Sequence, residues 1–143
     1  MRRRVRGRSG FTLLELLVVL VVMGLVSAIV APQVMSLLSG AKSKSAALQI
    51  EALTHAISFY QLDTGDIPQG APGLEALLKA PKEAVRWRGP YVRKRQSLTD
   101  PWGRPYQYRV PGLHGPYDLF TLGADGKEGG TGDDADVGNW DAQ

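Results

Sequence analysis

From Leu16 to Ala41 the chain carries no charged residue, a run of 26 positions rich in Leu, Val, Ile, Ala and Met. This exceeds the roughly 20 apolar residues that a helix needs to cross a bilayer. The pattern predicts a membrane helix over residues 11–34. Pro32 lies inside it. A proline removes one backbone hydrogen bond and clashes with the preceding turn, so a kink or local unwinding is expected near Ala28–Pro32. Further on the pattern changes character. Ala46, Ile50, Leu53, Ile57 and Tyr60 recur at spacings of three or four, while Lys42, Lys44, Gln49, Glu51 and Gln61 fall on other faces. That predicts an amphipathic stem helix to about Leu62, docked by its stripe on a small head. His55 reads as a partly exposed helix residue rather than a ligand.

Glycine and proline in Thr64-Gly-Asp-Ile-Pro68 end the stem and open an irregular stretch, residues 63–105. Within it Leu74–Ala80 predicts a short helix stopped by Pro81, with Leu74, Leu77 and Leu78 on one face. Asp100-Pro-Trp-Gly103 predicts a turn. Tyr106, Tyr108 and Val110 alternate with Gln107 and Arg109, the pattern of a half-buried strand, and Tyr117–Leu122 gives another. Together they predict an antiparallel hairpin over 106–122, with a third short strand near Gly89–Val92. The expected class is α+β, a long N-terminal transmembrane and stem helix on a small antiparallel head.

Charge divides the chain further. Residues 1–10 hold five arginines and no acid, and residues 125–143 hold six acids against one lysine. The net +3 becomes −2 once the first ten residues are set aside, with twelve basic against fourteen acidic residues. Arginines flanking an apolar helix predict a cytoplasmic N-terminus, with the remainder on the far side. A cleavable secretory signal has a shorter apolar core, about 7–15 residues. There is no cysteine, which excludes disulfides, thiolate zinc sites and cysteine nucleophiles. No serine–histidine–acid cluster or phosphate loop is visible, so an enzyme is not expected. Arg86-Trp-Arg88 and Tyr91–Arg95 mix aromatics with cations but match no nucleic-acid motif; a solvated surface is the reading, and no nucleic acid is expected.

Glu15 is the anomaly. A carboxylate at membrane depth costs about 2.5–3.5 kcal/mol even on insertion scales, so it needs a partner. Gly10-Phe-Thr-Leu-Leu-Glu15 resembles the processing site of type IV pilins and type II secretion pseudopilins. The resemblance implies that a prepilin peptidase cleaves a basic leader, residues 1–10, between Gly10 and Phe11, and that Phe11 is N-methylated. It also implies an assembly pair between Glu15 and the new Phe11 amine of an adjacent subunit, pairing two charges that are each costly in an apolar medium. Pro32 reads either as a tolerated membrane proline or as a flexible point that lets subunits leave the bilayer and pack.

Five further segments narrow the resemblance: Gly-Leu-Glu-Ala-Leu from Gly73, Gly-Pro-Tyr from Gly89, Asp-Pro-Trp-Gly-Arg-Pro-Tyr from Asp100, Leu-Gly-Ala-Asp-Gly from Leu122 and Asp-Val-Gly-Asn-Trp from Asp136. In this order they are similar to the major pseudopilins of type II secretion, the GspG family. Ile67 departs from the aromatic common before the proline. The resemblance implies a pilin-like fold, with residues 35–143 as a periplasmic head ending in an acidic loop, 123–143.

That loop holds glycines 123, 126, 129, 130, 132 and 138 among its acids. Carboxylates and freed carbonyls around a glycine-bent loop suit calcium, which takes six to eight oxygen ligands. An EF-hand does not fit, because Lys127 and Gly129 occupy its third and fifth positions. By resemblance the loop binds one structural calcium through Asp125, Asp134 and Asp136, with main-chain oxygens of Leu122 and Lys127; Asp133 remains an alternative to Asp134.

The function implied is a non-enzymatic major subunit of the type II secretion pseudopilus. It would polymerise from the Gram-negative inner membrane into a periplasmic filament that helps export folded proteins. Implied partners are further copies of itself, minor pseudopilins, the prepilin peptidase, the inner-membrane platform protein, the secretion ATPase and the secretin. The competing reading is a type IV pilus subunit for adhesion or DNA uptake.

Overall fold

The structure, a computed structural model, describes residues 11–70, 73–82 and 84–141. One helix, α1, runs over Leu13–Thr64, 52 residues. Two compact units divide within it, between Leu37 and Leu38. Helical backbone continues through Pro32, and no residue over Ala28–Pro32 leaves the helix, so the expected local unwinding is not found. A proline costs a long helix one backbone bond, which the neighbouring turns can tolerate.

The second unit is built on the C-terminal half of α1. Ala46, Ile50, Leu53, Ile57 and Tyr60 are all buried, as their spacing predicts, and Ala56 joins them. Ile50, Leu53, Ala56, Ile57 and Tyr60 pack with Leu74, Leu77, Val92, Leu98, Tyr106 and Leu119 into one core. Three strands cover it: β1 (Gln107–Arg109), β2 (Asp118–Thr121) and β3 (Val137–Gly138). Their order is β1-β2-β3, antiparallel throughout, with Tyr108 opposite Leu119 and Phe120 opposite both Gln107 and Gly138. β2 is central and buried at every position. Asn139 extends its ladder: the Leu119 amide donates to Asn139 Oδ1 (2.9 Å), and the Asn139 amide donates to the Leu119 carbonyl (2.9 Å).

Two expectations need correction. Residues 89–92 form no strand. The amides of Tyr91 and Val92 both donate to the Leu77 carbonyl (2.8 and 3.2 Å), so this segment closes the end of a short helix instead of pairing with a sheet. The third strand is β3, inside the acidic stretch. Second, the short helix is a 3-10 turn over Gly73–Leu77 rather than 74–80; Leu74 and Leu77 are buried and Leu78 partly so. Tyrosine hydroxyls tie the periphery to the core. Tyr106 donates to Gln49 (3.1 Å), Tyr108 to the Pro68 carbonyl (3.0 Å) and Tyr91 to Asp63 (2.8 Å). Burial, chiefly, raises the first two phenols above their ordinary range and keeps them protonated donors.

Candidate functional site

At the start of α1, Gly10 lies outside the described residues, and Phe11 is exposed. Glu15 has a local partner that its isolation in the sequence hides. Its Oε2 accepts from the Thr12 amide (3.0 Å) and hydroxyl (3.2 Å), while the Glu15 amide donates to Thr12 Oγ1 (3.2 Å). This is a reciprocal capping box, and it satisfies donors that a helix start leaves orphaned. The spacing Thr-x-x-Glu before an apolar run is the sequence signal for it.

Behind the cap, every described side chain from Phe11 to Met35 is exposed. Leu, Val and Ile at these positions retain roughly half or more of their surface. Full burial of one such side chain is worth about 1.5–3 kcal/mol, so water is not the medium this helix is built for. It is the one described helix long and apolar enough to cross a membrane.

The acidic loop closes on itself through backbone contacts. The Ala124 amide donates to the Asp133 carbonyl (2.9 Å) and the Gly126 amide to the Leu122 carbonyl (3.1 Å). Gly123, at φ +59°, leaves room for the carbonyls of Asp134 and Ala135, each 2.7 Å from where a Cβ would stand. Asp125 is exposed, and its Oδ1 accepts from the Lys127 amide (3.0 Å). Asp134 is exposed and Asp133 half-buried. Asp136 Oδ2 accepts from the Gly129 amide (2.9 Å), whereas its Oδ1 is buried with no hydrogen-bond partner. Such an orphaned carboxylate oxygen is a group that a cation could satisfy. Among the described residues, however, no three His, Asp or Glu side chains converge as a metal cage. Any ion here would rest on few carboxylates and on main-chain oxygens.

Two polar networks brace the loop and escaped the sequence reading. Asp100 is buried; its Oδ1 accepts from the amides of Trp102 (3.0 Å) and Arg104 (2.8 Å), and its Oδ2 from the Thr121 hydroxyl. Arg104 Nε lies 3.6 Å from Asp100, and its Nη2 donates to the Gly123 carbonyl. Asp118 is buried and accepts from the amides of Leu113 (2.7 Å) and His114 (3.1 Å), with His114 Nδ1 at 3.3 Å. His114 stacks on Trp140 at 4.1 Å. The Asp100 turn was legible, but its reach to Thr121, 21 residues away, was not.

Comparison with known proteins gives the family. The family model for type II secretion system (T2SS) protein G matches residues 33–140, and that for the prokaryotic N-terminal methylation motif matches residues 5–31. A type II secretion system core protein G of Pseudomonas aeruginosa is 49 % identical over 140 residues, 95 % of this chain and 97 % of that protein. The protein of the same description in Vibrio cholerae is 42 % identical over 144 residues, 99 % of this chain and 97 % of its own length. In structure the chain is similar to the major pseudopilin of the type 2 secretion system of enterohaemorrhagic Escherichia coli, with a TM-score of 0.59 and 33 % identity over 71 % of this chain and 88 % of that one. The chain belongs to the type II secretion system protein G family.

Proposed function

We propose that this chain is the major structural subunit of a type II secretion pseudopilus, held in the inner membrane by α1 and polymerised through it. The observation that carries the reading is the exposed apolar half of α1, joined in one chain to a head of this family. An apolar helix half whose described residues are all exposed over 11–35 needs lipid before assembly and neighbouring helices after it. The head would lie in the periplasm, and Pro32 offers a place where α1 can bend as a subunit leaves the bilayer. Assembly would draw on the secretion ATPase and platform protein, with minor pseudopilins and the secretin as further partners. The chain's own residues supply contacts rather than catalysis.

Glu15 is central to that assembly. While it caps its own helix, its charge also suits the Phe11 amine of an adjoining copy once the leader is gone. Glu15→Gln separates the two roles, since glutamine keeps the capping box and loses the charge. In cells, Glu15→Gln is expected to insert in the membrane and fail to form filaments. Thr12→Ala, which removes the cap at a cost of about 0.5–2 kcal/mol, is expected to retain filaments. Filaments of normal yield from Glu15→Gln, counted by electron microscopy, would contradict the charge pair.

Calcium is the second element of the reading. Its support is the buried, unpartnered Asp136 Oδ1 in a glycine-rich acidic loop. Asp136 would anchor the ion, with Asp125, Asp134 and the carbonyls of Leu122 and Lys127 as further oxygens. The ion would neutralise the clustered acids and order a loop with little apolar surface of its own.

A further inference from the structure

Arg104 stands well before the acidic loop in sequence and reaches into it in space. The turn Asp100–Gly103 aims it. Asp100 is buried and holds that turn by accepting from the amides of Trp102 (3.0 Å) and Arg104 (2.8 Å), while its Oδ2 accepts from the Thr121 hydroxyl of β2. The guanidinium then meets the loop with both arms of its fork. Nη2 donates to the Gly123 carbonyl, and Nη1 lies where a Cβ on residue 126 would stand, so a side chain there would displace it. Nε faces back to Asp100 Oδ2 at 3.6 Å. One side chain thus ties a buried carboxylate, fixed to the central strand, to both ends of the tight turn 122–126, which the Gly126 amide closes on the Leu122 carbonyl (3.1 Å). That turn carries Leu122 and Asp125, two of the groups proposed above as calcium ligands.

A cation beside a calcium site ordinarily weakens it by repulsion. Here the Asp100 carboxylate balances the charge at close range and in a buried setting, where an opposite charge counts most. What remains is a set of fixed N–H donors. The loop has little other rigidity: Gly123, Gly126, Gly129, Gly130 and Gly132 lie within ten residues, and glycine loses more backbone freedom on ordering than any other residue. An ion that needs this loop ordered binds with an affinity reduced by the fraction of molecules in which it is not.

We propose that Arg104 is a positioning residue for calcium: it holds the 122–126 turn in place before the ion arrives, so that the ion meets a preformed loop. This rests on the calcium reading above and adds to it a residue that gives the ion no oxygen. Three roles for Arg104 differ in sign. A brace of the head alone stabilises equally with and without calcium and leaves calcium affinity unchanged. A cation that stands in for calcium matters more in EGTA, and its removal strengthens calcium binding. A positioning residue matters more in calcium, because only the ordered loop makes all its bonds, and its removal weakens binding.

The test is calorimetric titration of calcium chloride into the calcium-stripped full-length chain in detergent micelles. Arg104→Met keeps the apolar stem and removes the donors. It is expected to bind calcium about 10–100-fold more weakly than the unsubstituted chain, the usual cost of losing a group that orients metal ligands. Its loss of Tm is expected to be larger in calcium than in EGTA. Arg104→Lys keeps the charge but replaces the planar fork by a single ammonium, and it too is expected to bind more weakly; it carries the test should Arg104→Met fail to fold. Unchanged or tighter binding by Arg104→Met, equal losses of Tm in the two conditions, or full affinity in Arg104→Lys would each overturn the positioning role and leave the calcium reading standing. An unsubstituted chain that binds no calcium would overturn both.

Discussion

Asp118 shows how a single side chain organises the hairpin end. Taking a carboxylate out of water favours its neutral form, and burial is the largest single influence on this one. Bonds from the Leu113 and His114 amides and from the His114 ring, with that ring's charge, together outweigh burial and lower the Asp118 pKa below its ordinary value of 3.8. A folded value below the unfolded one means that the stabilisation is complete above about the ordinary carboxylate range and is lost as pH falls through the folded value. Asp118→Asn keeps the shape, loses the charge and turns an NH2 group toward one of the two amides, Leu113 or His114, that donate to separate carboxylate oxygens in the native protein. It is expected to destabilise a fragment of residues 35–143 at pH 7 by about 1–3 kcal/mol, the cost of a poorly satisfied buried donor. Its unfolding free energy should also lose the part of the acid dependence that Asp118 supplies. Urea unfolding at pH 7 and pH 3 measures both; equal acid dependence in the two proteins would place the effect on other carboxylates. Nothing local in the sequence marks Asp118, because its partners are loop amides whose placement depends on the closed hairpin.

At the scale of elements, legibility follows the range of the forces. The stem was readable because its core positions repeat within one helix: Ala46, Ile50, Leu53, Ile57 and Tyr60 declare the buried side without knowledge of what covers it. The hairpin was readable from alternation and from Pro111-Gly112. β3 was not, since two residues, Val137 and Gly138, carry no pattern and are recruited by β2 and by Asn139, both set by tertiary contacts. Residues 89–92 look extended and aromatic, yet their amides find the Leu77 carbonyl before any strand. In the acidic loop, composition suggested oxygen ligands, whereas Arg104 entering the loop from the Asp100 turn could be seen only in three dimensions. Calcium binding there is tested on the same fragment. Calcium that binds only the folded form stabilises by about 2.7 kcal/mol at a free concentration of 100 Kd, so EGTA is expected to lower Tm by several degrees. Asp136→Asn should lose that calcium-dependent increment. A melting curve unmoved by EGTA would mean that the loop is held by its backbone bonds and Arg104 alone.

For the whole molecule, the two ends of α1 answer to different media. The head half is satisfied by its own core; in the half before Leu38 the described apolar side chains are exposed, and its cap at Thr12–Glu15 is an internal stopgap for charge. Five arginines ahead of Gly10 would hold the N-terminus on the cytoplasmic side by the positive-inside rule, but they would also prevent the helix start from approaching another helix in an apolar interior, since each uncompensated charge there costs several kcal/mol. On the proposed reading, removal of the leader would have to precede packing, and it would exchange five fixed charges for one amine that Glu15 could pair with. Mass spectrometry of protein extracted from membranes is expected to show loss of the ten N-terminal residues and the gain of one methyl group at Phe11. Gly10→Leu, which puts a bulky side chain at the scissile position, is expected to leave the full-length chain in the membrane without filaments, with the head folded as judged by an unchanged melting temperature. Filaments built from unprocessed chains would show that arginines are tolerated at the packing surface, and the charge-pair account of assembly would fail with them.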